Sequence, residues 1–479
     1  MNKYLYIFIR ILSYLPFTQF IFKIFYGLVL NKLRDEFSGH EEVKDIILTS
    51  DTTSPDFIYG LSDLNFLIIV ENEFHPKKVL TEFRDFISQH LLLKIIVHDK
   101  YLPILTEDEI KTDVIKSYLI RNSAGDMIEW KSIFTTKAYL FKLTEQDYFA
   151  ISYSCVQTLD HYLLRSGHKK NKRIQFKNIY KALKGIERLH KKHFKTNRKW
   201  SMRYIKLHRF PFLLNVLEGK LYYDTWKFLT TSDKKKQGLF NSDLSIPEEV
   251  TSYLKSIYTL PFIDNIVIIP SMIQNKRKDL KGKLYFDIVL NEKAQKKHKK
   301  LKKIRNDLYK LSSTRLKNRV RYTSTQLHLL QNAQALFYFP LETLYRNRKA
   351  FSVIGKNEEI IVSREAIYHS SIHFLVTQFM RFRSLEQKSD LIGSKFIKSL
   401  NLMYKYYLLN HYLKGNEVDF LGDQKIIRER LTPQFSAIKN NDTVTEEDWI
   451  LIKAQLLYLL KGIRDELAKK DESLKTLRF

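Results

Sequence analysis

The sequence predicts an α+β protein in which a sheet is followed by a helical region, with the whole unit repeated in the second half. Short apolar segments bounded by turn residues alternate with amphipathic helices from the amino terminus to Leu140. Helical spacing then dominates, and the strand patterns return about 220 positions further along the chain. The predicted order is apolar amino-terminal helices (1–30), a sheet domain (31–140), a helical domain (141–240), a second sheet domain (241–350) and a second helical domain (351–479).

Composition excludes several classes of site. The chain has 479 residues, 44% of them hydrophobic and 28% charged, which is typical of globular protein rather than of a disordered chain. It lacks both the Gly-x-Gly-x-x-Gly dinucleotide motif and the Walker phosphate loop. Because Cys155 is the only cysteine, internal disulfides and thiolate-rich zinc sites are excluded. No His-Glu-x-x-His pattern occurs either, and we expect a reducing, cytoplasmic compartment.

The net charge of +29 has two explanations. Such a surplus of Lys and Arg favours polyanionic partners such as nucleic acid, nucleotides or anionic lipid. A composition rich in Lys, Ile, Phe and Tyr throughout is also what AT-rich coding produces. Charge alone therefore selects no function.

The amino-terminal segment from Tyr4 to Leu30 is apolar and aromatic, but Arg10 and Lys23 leave only residues 11–22 uncharged. A membrane-spanning helix needs about 20 apolar residues, so we expect no span. Pro16 is expected to break or kink a helix at this place. Two interpretations stay open: a helix pair packed on the body of the protein, or a helix that lies on a membrane surface.

Polar residues cluster where the first two predicted strands end and begin. After a helix over 31–43, a buried strand over 45–48 ends at Thr49-Ser50, and a turn-rich loop follows over 51–59. The next strand opens with Ser62-Asp63-Leu64-Asn65 and ends fully apolar at Val70. Because side chains at i and i+2 share one face of a strand, Asp63 and Asn65 are expected to project side by side. A helix over 76–93 and a third strand over 94–99, carrying His98 and Asp99, complete the pattern.

This arrangement resembles the DNA polymerase β-like nucleotidyltransferase superfamily, in particular its aminoglycoside-nucleotidyltransferase-like branch. Thr49-Ser50 stands at the family's Gly-Ser turn, and residues 62–67 stand at its Ser-Asp-x-Asp strand. The resemblance implies a mixed sheet with helices, a following helical domain, and transfer of a nucleoside monophosphate from a nucleoside triphosphate to an acceptor. It implies Asp63, Asn65 and Asp99 as catalytic residues, Asp63 and Asn65 as Mg²⁺ ligands, and Thr49, Ser50 and Ser62 as nucleotide-binding residues.

Three departures from the family pattern support an alternative. Thr49 replaces a glycine, Asn65 replaces a carboxylate, and strand alternation puts either His98 or Asp99 at the third position. A neutral amide does not offset the charge of a cation, so the carboxylate set is incomplete. The alternative is a catalytically inactive tandem scaffold that binds RNA or an anionic membrane surface, the latter through residues 1–30.

The second half repeats the pattern without the acidic pair. Residues 263–271 parallel 43–50, residues 284–290 parallel the Asp63 strand, and a further strand lies at 319–322. Asp287 is the acid near the expected place, and Pro270-Ser271 fills the turn. Residues 293–321 hold thirteen Lys or Arg and one acid, Asp307, around an apolar stripe of Leu301, Ile304, Leu308 and Leu311. This basic segment predicts either a polyanion-binding face or a solvated one.

Overall fold

The computed structural model describes most of both sheets and the carboxyl-terminal helices. The described residues are 12, 15–50, 52, 57, 59–60, 62–72, 76–97, 102–122, 129–135, 138–140, 248–270, 284–311, 319–324, 340–341, 351–354, 364–384, 393–419 and 444–479. Within the helical domain, the sequence predicts helices between residues 144 and 189 with a basic loop at 167–173, and all of these lie outside the described ranges.

The first sheet has five strands in the order β3-β2-β1-β4-β5. Strand β1 pairs antiparallel with β2 and with β4, whereas β2 and β3 are parallel, so the sheet is mixed. The strands are β1 (Val43–Leu48), β2 (Phe66–Val70), β3 (Ile104–Thr106), β4 (Glu129–Ser132) and β5 (Ala138–Leu140). The helices around them are α1 (Pro16–Phe37), α2 (Pro76–Gln89), α3 (Leu91–Ile96), α4 (Glu107–Lys111) and α5 (Asp113–Asn122). The predicted α+β class is confirmed.

The central strands are covered on both faces, which explains why they are apolar throughout. All five residues of β2 are buried. One face, with Ile68, packs in a core that includes residues of α1, α2 and α3. The other face, with Leu67 and Ile69, packs in a core shared with α5 and the carboxyl-terminal helices. Alternation along β2 therefore separates two apolar faces, not an apolar face from a polar one.

Helix α1 begins and ends at different residues from those predicted. It runs from Pro16 to Phe37 as one helix, where the sequence predicted a break at Pro16 and a helix over 31–43. Pro16 occupies the first turn, in which a proline lacks no needed hydrogen bond and its fixed φ suits the helix. One face of α1 packs against the sheet. Its buried residues recur at spacings of three and four: Tyr26, Val29, Leu33 and Phe37.

The strand predicted over 94–99 was wrong for its described part. Leu91–Ile96 forms the short helix α3, with the Lys94 N–H bonded to the His90 carbonyl at 3.0 Å. Leu93, Ile96 and Val97 are buried at helical spacing. This short apolar run therefore packs in the core as a helix instead of a strand. In the described part of this segment, strand-like pairing is limited to a parallel bridge between Val97 and Leu64. His98 and Asp99 lie outside the described residues.

The Thr-x-x-Glu pattern at residues 106–109 predicts a capping box, and the structure confirms it at the start of α4. The Thr106 hydroxyl accepts from the Glu109 N–H at 3.3 Å, and the Glu109 carboxylate accepts from the Thr106 N–H at 2.8 Å. This exchange satisfies two of the free N–H groups at the junction of β3 and α4. Glu109 is fully buried there.

The second sheet has four strands in the order β8-β7-β6-β9. Its elements are α6 (Glu248–Tyr258), β6 (Ile263–Pro270), β7 (Leu284–Leu290), α7 (His298–Leu311), β8 (Arg319–Ser324) and β9 (Phe351–Ile354). Strand β6 pairs antiparallel with β7 and β9, and β7 pairs parallel with β8. The predicted strands of this half are confirmed, and order and directions match β3-β2-β1-β4 of the first sheet.

The pairing register also matches: in the pairs below, each residue of the second sheet follows its counterpart in the first sheet by the same number of positions. Val43 pairs with Val70, as Ile263 pairs with Leu290, and both ladders shift register immediately after this pair. Ile47 pairs with Ser132, as Val267 pairs with Ser352. The Glu71 N–H bonds to the Glu42 carbonyl at 3.2 Å, and the Asn291 N–H bonds to the Phe262 carbonyl at 3.2 Å.

Helix α7 packs as the sequence predicted. Leu301, Ile304 and Leu308 are buried, and Leu311 packs at the edge of the same core. The sequence did not predict that Arg305 is also buried, beside this stripe. Seven exposed lysines lie on the described residues 293–311: Lys293, Lys296, Lys297, Lys299, Lys300, Lys303 and Lys310. The acid Asp307 accepts a hydrogen bond from the Tyr253 hydroxyl at 3.0 Å.

The carboxyl terminus contacts both halves of the chain. Helices α8 (Arg364–Ser384), α9 (Gly393–Leu413) and α10 (Glu446–Ala468) are followed by a short 3₁₀ turn. The Arg478 guanidinium then donates to the Asn72 carbonyl at 2.9 Å, and the Arg478 N–H donates to Glu109 at 3.4 Å. Phe479 packs edge-on against Phe379 of α8. None of the helices in the described ranges is long and apolar enough to cross a bilayer.

Candidate functional site

The candidate site lies where β1 ends and β2 begins. The last ladder pair is Leu48 with Phe66, and the Thr49 N–H then donates to the Asn65 carbonyl at 2.9 Å. The Thr49 hydroxyl donates to the same carbonyl at 3.0 Å. Antiparallel pairing therefore brings the two predicted motifs together, although about fifteen residues separate them along the chain.

Ser50 is the residue that joins the two motifs through its side chain. Its Oγ accepts from the Asn65 backbone N–H at 2.7 Å and from the Asn65 Nδ2 at 3.2 Å. The same hydroxyl donates to the Asp63 carbonyl at 3.2 Å. Ser50 thus fixes the amide of Asn65 through its nitrogen, and no described hydrogen bond engages the amide oxygen.

Asp63 and Asn65 are both exposed, whereas Leu64 between them is fully buried. Leu64 forms the parallel bridge to Val97, and its N–H donates to the Ile96 carbonyl at 2.8 Å. Burial of Leu64 on one face directs its two neighbours to the other, as strand alternation predicts. A carboxylate and an amide therefore stand side by side at the open end of β2.

Helix α1 supports the loop that enters this strand. The Tyr26 hydroxyl donates to the Ser62 carbonyl and accepts from the Gly60 N–H at 3.2 Å. Gly60 has φ of +87°, which a residue with a Cβ adopts only with strain. Phe57 and Tyr59 pack edge-on against Tyr26, with ring centroids 5.7 and 5.1 Å away. The loop before Asp63 is therefore held by an aromatic cluster.

The Asp63 carboxylate acts electrostatically on Tyr26 of this cluster. Burial is the main reason that the pKa of the Tyr26 hydroxyl lies well above its ordinary value, and the nearby Asp63 carboxylate raises it further. Tyr26 is therefore a neutral hydrogen-bonding group at every physiological pH, and Asp63 stays close enough to influence it electrostatically.

The described donors suit one divalent cation and do not suit two. Mg²⁺ binds through one or two carboxylates together with substrate phosphates and water. Asp63 supplies one carboxylate, and Asn65 supplies an amide oxygen. Within the described ranges no group of three or more His, Cys, Asp or Glu side chains could hold a metal ion.

The equivalent place in the second sheet carries different chemistry. In the second sheet, Tyr285 is equivalent to Asn65, because it pairs with Ile269 as Asn65 bonds to Thr49. Pro270, which follows Ile269, is equivalent to Ser50. Asp287 pairs with Val267, as Leu67 pairs with Ile47. Asp287 is therefore equivalent to Leu67 and not to Asp63. Asp287 is buried in the middle of β7, so it is not at the strand end where a site would open.

A second carboxylate in the first sheet is structural. Asp45 is buried on β1, where it accepts from the Ser132 hydroxyl at 2.6 Å and from the Tyr139 hydroxyl at 2.8 Å. Burial raises the pKa of Tyr139, and so does its bond to this carboxylate. Sequence reasoning assigned Asp45 no role, because its partners lie on strands that come much later in the chain.

Comparison with known proteins adds no relative: no family model matches the sequence, and neither a curated protein nor a solved structure resembles it significantly.

Proposed function

We propose that the first sheet binds a nucleoside triphosphate at the site formed by Ser50, Asp63 and Asn65. The observation that carries this proposal is the hydrogen bonding of Ser50 to both Asp63 and Asn65, which unites two separate motifs at an exposed strand end. A carboxylate and a hydroxyl at an open strand end are groups with which proteins hold a metal-bound triphosphate.

Each residue has a distinct part in this proposal. The Ser50 hydroxyl, which donates to the Asp63 carbonyl in the free protein, turns to donate to a phosphate oxygen. The Thr49 backbone is engaged with Asn65, so Thr49 holds the turn instead of contacting phosphate. Asp63 and the free amide oxygen of Asn65 would hold Mg²⁺, whose charge offsets that of the triphosphate. Ser62 fixes the strand entrance through its carbonyl bond to Tyr26.

Such a site supports transfer of the nucleoside monophosphate. An acceptor nucleophile attacks the α-phosphorus and loses its proton to solvent water. The bond to the acceptor forms as the bond between the α-phosphorus and the bridging oxygen breaks, and pyrophosphate leaves. Catalysis of this kind depends on positioning and charge compensation more than on covalent chemistry by the protein. Asp99, which the family resemblance implies as the third acid, keeps that role as part of the proposal.

We also infer that the chain arose by duplication of a sheet-and-helix unit. The shared strand order, the common register shift and the constant separation between equivalent residues of the β1–β2 and β6–β7 pairs support this inference. In the second copy Tyr285 and Pro270 replace the amide and hydroxyl of the site. The second copy is then a scaffold, and nucleotide should bind to the first copy alone.

The test is calorimetric titration of ATP, CTP, GTP and UTP with and without Mg²⁺. The Asp63→Asn variant removes the charge and keeps the shape, so we expect at least a tenfold loss of affinity in the presence of Mg²⁺. Asp85→Asn is the matched control, because Asp85 is an exposed acid on α2 of the same unit. Unchanged affinity in Asp63→Asn, or no binding of any nucleotide by wild type, would contradict the proposal.

A second candidate function, RNA binding, is favoured by the lysine-covered segment formed by residues 293–311. Seven of its eight lysines are exposed, and its acid Asp307 is bonded to Tyr253, so the outward face is strongly positive. Reversing Lys299 and Lys303 to Glu should weaken RNA binding and lower the salt slope by about 0.7 per lost phosphate contact. The same reversal at Lys461 and Lys414, exposed elsewhere, is the control. Equal RNA affinity in both variants would exclude this segment as the RNA contact.

A further inference from the structure

Helix α1 has a second apolar face that points away from the sheet. Phe17 and Phe20 are 65% and 68% exposed, Leu28 is 54% exposed, and Ile21 and Ile24 are exposed as well. We call these five residues the outer face of α1. Their spacings of three and four residues place them along one side of the helix, so they form one continuous strip.

This strip differs from the other exposed apolar residues in the described part of the chain. Single exposed hydrophobic residues are normal on protein surfaces, and Tyr309 is of that kind. A smaller exposed group of three lies on α10 (Ile450, Leu451 and Tyr458), and the remaining two, Leu15 and Phe25, lie beside or on α1 itself. A continuous strip of five large side chains on one helix marks an interaction surface. The opposite face of α1 is already used, since Tyr26, Val29 and Leu33 are buried against the sheet.

The charges of this region indicate which partner covers the strip. The sequence contains no acidic residue before Asp35, whereas it has the cations Lys3, Arg10, Lys23, Lys32 and Arg34. Lys23 and Lys32 are exposed on α1 itself. A second copy of the chain packed on this strip would bring like charges together with no acid in the segment to offset them. An anionic bilayer offers apolar acyl chains beneath a layer of negative headgroups, which complements both features.

We propose that the outer face of α1 docks the protein peripherally on an anionic lipid surface, with the helix parallel to the plane of the headgroups. The large apolar side chains enter the acyl boundary, and the lysines meet the headgroup phosphates. This proposal does not depend on nucleotide binding. The buried side of the same helix holds the loop before Asp63 through Tyr26, and Gln19 donates to the Tyr59 carbonyl at 3.2 Å.

Vesicle flotation with the full-length protein tests the proposal. Wild type should float with vesicles of phosphatidylglycerol and phosphatidylcholine and much less with phosphatidylcholine alone. The double variant Phe20→Glu with Ile24→Glu should lose at least about tenfold in partitioning, because it puts carboxylates into the contact. The control is Ile450→Glu with Tyr458→Glu, which changes two apolar residues that are 62% and 76% exposed on α10. The control should float like wild type.

A second variant separates charge from apolar contact. Lys23→Glu with Lys32→Glu leaves the strip intact and should weaken binding to anionic vesicles by about tenfold, with little effect on neutral vesicles. Raised salt should weaken wild-type binding in the same direction.

Results of three kinds would overturn the proposal. The first is wild type that fails to float, or an outer-face variant that floats equally well. The second is sedimentation showing a wild-type dimer that Phe20→Glu with Ile24→Glu converts to monomer, which would assign the strip to a second copy. The third is a large fall in the thermal midpoint of this variant but not of the Ile450 and Tyr458 control, which would mean that the strip packs inside the protein.

Discussion

Glu109 gives a graded test of how the first sheet is joined to the end of the chain. Its carboxylate is fully buried and accepts from the Thr106 N–H at 2.8 Å and from the Arg478 N–H at 3.4 Å. We predict that Glu109→Ala is strongly destabilising, that Glu109→Gln is mildly so, and that both act on the first sheet.

The magnitude follows from the hydrogen bonds that each change removes. Glu109→Ala leaves the buried Thr106 N–H, its capping-box partner, without this acceptor, which costs about 1–3 kcal/mol, and removes the bond from the Arg478 N–H, worth about 1 kcal/mol. The expected loss in the free energy of unfolding is therefore about 3 kcal/mol. Glutamine still accepts from Thr106, since Glu and Gln both complete a capping box. Its amide nitrogen then faces the Arg478 N–H, so a loss of about 1 kcal/mol remains.

The assay is urea unfolding followed by circular dichroism, with Asp113→Ala as the control. Asp113 begins α5 and its side chain is almost fully exposed, so its loss should change stability by less than about 0.5 kcal/mol. Wild-type stability in Glu109→Ala would refute the account of this junction. An equal loss in Ala and Gln variants would show that charge, and not the hydrogen-bond acceptor, is what the junction needs.

Three further predictions concern the site, the surface charges and the helix packing. Ser50→Ala should lower stability by only about 1 kcal/mol but weaken nucleotide binding by about tenfold in calorimetry, because it frees the Asn65 amide and removes a phosphate donor. The pKa of Glu107 is held below its ordinary value by hydrogen bonds from Lys44 and then Lys111, so its stabilisation is present at neutral pH and lost as pH falls through that lowered pKa. Glu107→Gln should therefore reduce the acid sensitivity of the unfolding midpoint. Gly462→Ala should destabilise, since its Cβ would lie 2.7 Å from the Asn410 Nδ2, and Asn410→Ala should relieve the loss in a double mutant.

The sequence predicted those parts of the fold that local pattern controls. The strands β1, β2, β6 and β7 are dense in branched apolar residues, and the capping box at Thr106 is a local motif. The segment over 94–99 was mispredicted because a short apolar run fits a strand and a buried helix equally well. The break predicted at Pro16 was wrong because the helix begins there. A proline that would break the middle of a helix is well suited to its first turn.

The candidate site was predicted only where strand alternation determines it. The hydrogen bonds of Ser50 to Asp63 and Asn65 follow from the antiparallel pairing of β1 with β2, because these residues flank the paired ends of the two strands. The strand predicted from Ser62 begins at Phe66 in the structure. The support from Tyr26 was missed, because no local pattern links this residue of α1 to Gly60 and Ser62, which lie 34 and 36 residues further along the chain. The signal that could have shown it is Gly60, a glycine in a loop where a positive φ is needed.

The most direct test of the central claim is to map where a nucleotide attaches. An azido-ATP analogue is crosslinked by light to the full-length protein with Mg²⁺, and the labelled peptides are identified by mass spectrometry. We predict label in the peptides that contain Ser50 to Asn65, suppressed by excess unlabelled ATP and by Asp63→Asn. Label that is competed by ATP but lies in the peptides around Pro270 and Tyr285, or that survives Asp63→Asn, would contradict the claim.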